Sequence, residues 1–195
     1  MKSKKWLDRQ KNDIFVKEAI KKNYLSRSAF KLLEIDKKYK LISKSSIILE
    51  LGSSPGGWSQ VVCQKNNKAY IHSFDIKKMN FLNPRLKFYN LDFLNFEFKL
   101  LKIKYDLILS DIAPNTTGHK NTDHLKIISI VNNIISILDT IILKKGNFVF
   151  KILKGSEEND IIYKLKKKFR KVSYFKPLSS RKESPEIYII ALEYI

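Results

Sequence analysis

A chain of 195 residues has room for one domain with a sizeable core. Its 38 Lys and Arg against 19 Asp and Glu leave a formal charge of +19, yet 44% of residues are hydrophobic and 12% aromatic, which excludes a disordered basic tail. A single cysteine, Cys63, excludes a disulfide framework and a cysteine-based zinc site, and His72, His119 and His124 lack metal-ligand spacing, so no metal is expected. A folded domain this basic suits a polyphosphate partner. Only five of the cations are arginine (9, 27, 85, 170 and 181), and Ile and Asn are abundant. Compositional bias therefore accounts for part of the lysine excess. The most apolar stretch, Ile127 to Leu143, is interrupted by Asn132, Asn133 and Asp139, and the N-terminus has no apolar signal core. Neither a membrane protein nor a secreted one is expected.

In chain order, the first 45 residues read as a basic helical lead-in, with Ser26 or Ser28 capping a helix through Phe30, Leu33 and Lys37. Strands are predicted at Ile47–Leu51, Tyr70–Ile76, Leu86–Asn90, Tyr105–Ser110, Asn147–Ile152, Lys171–Phe175 and Glu186–Glu193. Between Thr122 and Lys144, apolar residues at 127, 128, 131, 134, 135, 138, 141 and 142 have helical spacing, and Gly146-Asn147 offers a stop. A further helix from Glu157 to Phe169 has acids first and lysines last, with Ile161, Ile162, Leu165 and Phe169 as its core stripe. Alternating strands and helices predict a doubly wound, mostly parallel sheet. Its last two strands, joined by a Pro/Ser-rich loop too short for a helix, should form an antiparallel hairpin at one edge. One domain is expected, a lead-in (1–45) and a core (46–195).

The stretch Glu50-Leu51-Gly52-Ser53-Ser54-Pro55-Gly56-Gly57-Trp58-Ser59-Gln60 follows a strand and opens a helix, where glycines let backbone approach a ligand. Ser54 stands where a dinucleotide fingerprint needs its second glycine, and Trp58 where a phosphate-gripping loop needs lysine, which disfavours NAD and ATP. Asp75, 23 residues after Gly52, lies where a carboxylate accepts from both hydroxyls of a ribose, and Asp92 falls after the third strand. Either aspartate alone would read as a strand-end cap. Together with the loop they describe a nucleoside bound without a pyrophosphate, which is S-adenosylmethionine. Gly52, Gly56, Gly57, Trp58, Asp75, Asp92 and Asp111 are the expected cofactor-binding residues.

The chain resembles the FtsJ/RrmJ family of S-adenosylmethionine-dependent RNA ribose 2′-O-methyltransferases over nearly its whole length. The resemblance rests on Trp6-Leu7, Ser26-Arg27-Ser28-Ala29-Phe30-Lys31-Leu32, Leu51 to Gln60, Ser110-Asp111-Ile112-Ala113-Pro114-Asn115, Phe150-Lys151-Ile152 and Ser184-Pro185-Glu186-Ile187-Tyr188. Departures are Ser53-Ser54 where the family often has two alanines, and Pro185 where arginine is common. It implies a Rossmann-like class I methyltransferase fold, a seven-stranded, mostly parallel sheet with an antiparallel C-terminal strand. It also implies a Lys-Asp-Lys-Glu tetrad at Lys31, Asp111, Lys151 and Glu186, with Lys151 as base, Asp111 its partner beside the methyl donor, and Lys31 and Glu186 orienting the ribose and Lys151.

Rival methyl-transfer chemistries fit poorly. Methylation at a pyrimidine C5 needs a cysteine nucleophile, commonly after Ala-Pro, and Asn115 follows Ala113-Pro114 here. Methylation of an exocyclic amine uses a Pro-Pro-aromatic clamp, which Asp111–Asn115 lacks. The resemblance is strongest to bacterial and organellar enzymes acting on a uridine ribose of large-subunit rRNA, so rRNA or the assembled large subunit is the expected partner of a monomeric protein. A tRNA anticodon-loop enzyme is the next reading, a cap-ribose enzyme fits less well, and a catalytically silent RNA-binding module is of another class. The compartment would be cytoplasmic for a bacterial enzyme and organellar for a eukaryotic one. Lys2, Lys4, Lys5, Arg9, Lys11, Lys17, Lys21, Lys22 and Arg27, with the loop Ser179-Ser180-Arg181-Lys182, are expected to form a basic surface beside the crevice.

Overall fold

The structure, a computed structural model, describes residues 12–113, 117–155 and 157–195. Trp6, Leu7, Pro114, Asn115 and the cations at 2, 4, 5, 9 and 11 lie outside the described residues. The seven strands are β1 (Ile47–Leu51), β2 (Tyr70–Phe74), β3 (Leu86–Tyr89), β4 (Tyr105–Ser110), β5 (Ile142–Leu153), β6 (Phe169–Phe175) and β7 (Glu186–Tyr194). They form one sheet in the order β3-β2-β1-β4-β5-β7-β6. All neighbouring pairs from β3 to β5 are parallel, while β7 pairs antiparallel with both β5 and β6. The expected C-terminal hairpin is present, and β7 is inserted between β5 and the edge strand β6.

Helices cover both faces because side chains alternate along each strand. Ile48, Ile71, Leu107, Leu109, Val149 and Ile190 meet α2 (Ser28–Tyr39) and α3 (Gly57–Lys65). Leu49, Leu51, Ile108, Phe148, Phe150 and Ile189 meet α4 (Lys120–Ile141) and α5 (Glu158–Lys166). Strands buried on both faces read as nearly continuous apolar runs, which is why they were visible in sequence. α4 is long and apolar enough to cross a bilayer by length and composition, but its periodic residues from Ile127 to Ile141 are buried in this core.

Four local expectations need correction. The sequence pattern marked only the second helix of the described lead-in: α1 (Ile14–Lys21) precedes α2 and is capped by Asp13, whose Oδ1 accepts from the Phe15 and Val16 amides. Neither Ser26 nor Ser28 caps α2. Arg27 holds the cap position without a side-chain bond, and the two serine hydroxyls bond each other at 2.7 Å. Gly146-Asn147 does not stop α4, because the chain turns extended at Ile142 to pair with Tyr105 and then bulges before Asn147 meets Leu107. Phe169 lies not on α5 but at the start of β6, where it remains buried.

Candidate active site

Strand registers bring the expected site residues to one rim. Leu51, Phe74, Ser110 and Phe150 are level in adjacent strands, so the next residues along, Gly52, Asp75, Asp111 and Lys151, emerge together at the C-terminal edge. Strand order reverses direction between β1 and β4, which opens a crevice at that edge. The crevice holds a cavity of about 360 Å³. Gly52, Asp75, Asp92 and Asp111 line it with the apolar Phe74, Ile76, Leu91, Phe93 and Ile112.

Gly52 has φ +77°, and a Cβ there would stand 2.7 Å from Ile112 Cγ1, so any larger residue would push the Asp111 segment aside. Gly57 is the first residue of α3, and a Cβ there would collide with the Ser26 hydroxyl. It is this contact that lets the lead-in close over the loop. Gly56, Gly57 and Trp58 stand behind the cavity rather than in its wall. Trp58 is buried, its Nε1 donating to Ser28 O at 2.8 Å and its ring packing on Tyr188. Asp75 accepts from the Ser54 and Lys77 amides at 2.8 Å each, which fixes the carboxylate while leaving lone pairs on both oxygens. Asp92 caps a 3₁₀ turn through the Leu94 amide.

The tetrad is divided into two ion pairs. Lys151 Nζ donates to Asp111 Oδ1 and to Asp111 O, both at 2.8 Å, with side chains 7% and 15% exposed. Lys31 Nζ lies 2.7 Å from Glu186 Oε2, and the Ser180 hydroxyl donates to Glu186 Oε1. Tyr188 joins the pairs: its hydroxyl donates to Asp111 Oδ1 at 2.7 Å, and the Lys31 amine lies 5.9 Å from its ring centroid. Burial alone would raise the Asp111 carboxyl, but the Lys151 and Lys31 cations and the bonds from Lys151 and Tyr188 outweigh it and hold it below its ordinary range. Burial, reinforced by the charges of Asp111 and Glu186, pushes the Tyr188 phenol well above its usual value, so it stays a neutral donor.

Two members of this site escaped sequence reasoning. Tyr188 sits opposite Lys151 in the β5–β7 register, and its spacing of two from Glu186 was the available signal, since alternate strand residues share a face. Glu50 is buried beneath the glycine loop, accepting from the Ser59 and Ser73 hydroxyls. Its burial, with Asp111 and Asp75 nearby, pushes its carboxyl up to about 8 despite those bonds. The expected basic surface is only partly built. Lys17, Lys21 and Lys22 are exposed, but Arg27 and Arg181 both pair with Asp13, and Ser179 and Ser180 are buried.

An apolar slot with carboxylates at its rim suits a nucleoside. The Ser53 hydroxyl is buried in the loop with no partner among the described residues. Sheet order, crevice and fixed Asp75 together define a class I S-adenosylmethionine-dependent methyltransferase. Comparison with known proteins narrows this. A family model described as FtsJ-like methyltransferase matches residues 24–194, and the chain belongs to that family. It is 42% identical to the ribosomal RNA large subunit methyltransferase E of Wolbachia pipientis wMel over 94% of this chain and 96% of that protein. It is 40% identical to the protein of that name from Ehrlichia chaffeensis, over 100% and 94% of the two chains. A crystal structure from Plasmodium falciparum, described as a ribosomal RNA methyltransferase, superposes with TM-score 0.75 at 31% identity, covering 88% of this chain and 98% of that one. Members of this family use S-adenosylmethionine as methyl donor.

Proposed function

We propose that the chain transfers a methyl group from S-adenosylmethionine to a ribose 2′-hydroxyl in large-subunit ribosomal RNA, acting as one catalytic unit. The observation that carries this is the Lys151 amine, held by two bonds to Asp111 at the cofactor rim with Lys31, Tyr188 and Glu186 around it. The names of the relatives support the rRNA substrate over a tRNA one, and the complete tetrad speaks against a silent binding module. All four tetrad side chains come from one chain, which supports a monomeric enzyme.

The cofactor supplies a methyl already activated on a sulfonium, so the protein must align the nucleophile and remove a poorly acidic proton. Asp75 and Asp92 hold the nucleoside end in the cavity. Lys151 directs two N–H bonds at Asp111 and leaves its third tetrahedral position for the substrate. With the amine neutral, that position carries a lone pair, which accepts the 2′-proton. Asp111 stabilises the ammonium that results, and Tyr188 keeps Asp111 oriented. Lys31, fixed by Glu186, orients the ribose from the opposite side.

The test is single-turnover methyl transfer to large ribosomal subunits across pH. Lys151→Ala should lose roughly 10²–10⁴-fold in rate, the usual range for a general base, with cofactor affinity little changed. Lys151→Arg should not rescue, since guanidinium keeps its proton, and the wild-type rate should climb with pH. An active arginine variant with a flat pH profile would remove Lys151 from the role of base.

A further inference from the structure

The opposite edge of the sheet, where β1, β4 and β5 begin, carries a second recess of about 520 Å³. Four cations, Lys40, Lys44, Lys145 and Arg170, line it together with Asp106 and Glu193. Both acids have partners. Asp106 accepts from the Ser46 amide at 2.7 Å and the Ile47 amide at 3.3 Å, and Glu193 lies 3.8 Å from Arg170. Lys40, Lys44 and Lys145 are exposed and have no salt bridge among the described residues.

Two of these lysines occupy backbone that disfavours lysine. Lys40 ends α2 with φ +51° and ψ +51°, and Lys145 has φ +66° in the bulge of β5. Glycine or asparagine relieves such left-handed positions, because any other Cβ crowds the following carbonyl. Lys102, at φ +51° outside the recess, is the other lysine with positive φ among the described residues. Asparagine is abundant in this chain too, and Asn23 takes the left-handed position at φ +56°. Glu193, at φ +57°, places a third strained residue at the same recess. Three of the five non-glycine residues with positive φ among the described residues thus gather at this recess, which favours a role for their side chains there.

We infer that this recess is a second RNA contact, binding phosphates of folded RNA away from the catalytic crevice; the inference rests on the proposed rRNA substrate. Asp106, near the start of β4, and Asp111, just past its end, lie about 16 Å apart at roughly 3.3 Å per residue. The sheet and its core separate the two sites, so a short strand seated in the crevice does not reach the recess, whereas a folded large-subunit RNA can wrap to both. The recess thus favours structured substrate over fragments.

The test pairs Lys40→Gly/Lys145→Gly with Lys40→Glu/Lys145→Glu. Binding is followed at several salt concentrations to a short single-stranded oligonucleotide, to protein-free folded large-subunit rRNA, and to the assembled subunit. The glycine pair removes both amines and relieves the strain, so its melting temperature should hold or rise while binding to folded rRNA and to the subunit weakens. The salt slope of log K should flatten by about 0.9 for each duplex phosphate that is no longer neutralised, and binding to the oligonucleotide should not change. The glutamate pair should deepen the same loss. Unchanged slopes on folded rRNA would overturn the inference. Equal losses on oligonucleotide and folded rRNA would reassign the effect to overall charge, and a loss on the subunit without one on bare rRNA would mean a ribosomal-protein partner. Binding slopes need no turnover, so a wild type that failed to methylate the subunit would count against the proposed function and leave this test standing.

Discussion

Glu50 offers a quantitative check on the electrostatics of the glycine loop. Its carboxyl is buried, and its pKa moves from an ordinary 4.5 to about 8. A folded-state pKa above the unfolded one means the folded chain keeps a proton that the unfolded chain has released. Stability is therefore fully present below pH 4.5 and falls as pH rises through the window from 4.5 to about 8. At 1.36 kcal/mol per unit, that span amounts to on the order of 5 kcal/mol, comparable with the whole stability of many domains.

Glu50→Gln removes the titration but keeps an oxygen that can accept from Ser59 and Ser73. Urea unfolding of both proteins from pH 5 to 9 should give similar stabilities at pH 5 and a growing advantage for glutamine, reaching several kcal/mol near pH 9. Other titrating groups are common to both chains and cancel in the difference. Glu50 also ties β1 to α3 and β2 around the loop, so wild-type cofactor affinity should weaken above pH 8 while that of Glu50→Gln holds. Glu50→Ala strands both hydroxyls and also lacks the titration, so it should be less stable than Glu50→Gln by a similar amount at every pH. A glutamine-minus-glutamate difference that stayed constant from pH 5 to 9 would refute the reasoning.

Asp75→Ala should weaken cofactor binding about tenfold or more, since a hydrogen bond to a charged group is worth roughly 1.5–3 kcal/mol. Unchanged affinity by calorimetry would remove Asp75 from the ribose. Tyr188→Phe keeps the ring against Trp58 and deletes the bond to Asp111, so methyl transfer should fall by about tenfold or more at unchanged cofactor affinity. A rate within twofold of wild type would show that Lys151 alone orients the carboxylate. His124, buried between Leu153 O at 2.8 Å and the Glu157 carboxylate at 2.6 Å, anchors the segment that follows Lys151. His124→Ala should cost about 1–3 kcal/mol in urea unfolding for the groups it strands, and a loss under 0.5 kcal/mol would mean that the segment holds itself.

The parts legible in sequence were those set by short-range pattern. β1 and β4 were placed to the residue because a doubly buried strand is an unbroken apolar run between polar punctuation. The stripe of α4 was equally plain, but not its end. Ile142 continues the helical spacing and turns extended only because Tyr105, 37 residues earlier, offers a strand to pair with. The division of the lead-in was hidden for a similar reason. Asp13 caps α1, but its other oxygen binds Arg181, which no local pattern announces. The tetrad was legible through its motifs and through the rule that parallel strand ends share a rim. The Lys151–Asp111 pair was implied by the resemblance, but the Lys31–Glu186 pair was not, because it depends on how the lead-in docks on the hairpin.

That pairing assigns the two halves of the site different supports. Asp111 and Lys151 are consecutive to paired residues of adjacent central strands, so the sheet itself fixes their separation. Lys31 and Glu186 meet only because the lead-in docks on the β6–β7 hairpin. Polar contacts make that docking: Arg181 on Asp13, Arg27 on the Ser179 carbonyl, and the Leu178 and Ser179 amides on Glu34. Two of the arginines of the expected basic surface are therefore engaged inside the protein, which leaves Lys17, Lys21, Lys22 and Lys182 as its exposed cations among the described residues. On the proposed mechanism, cofactor binding would depend on the sheet rim and glycine loop, and ribose orientation on the docked lead-in. Deleting residues 1–22 removes Asp13 along with the lysines, so it would disturb Lys31 and Glu186 as well as RNA affinity. Substituting the exposed lysines alone separates the two effects.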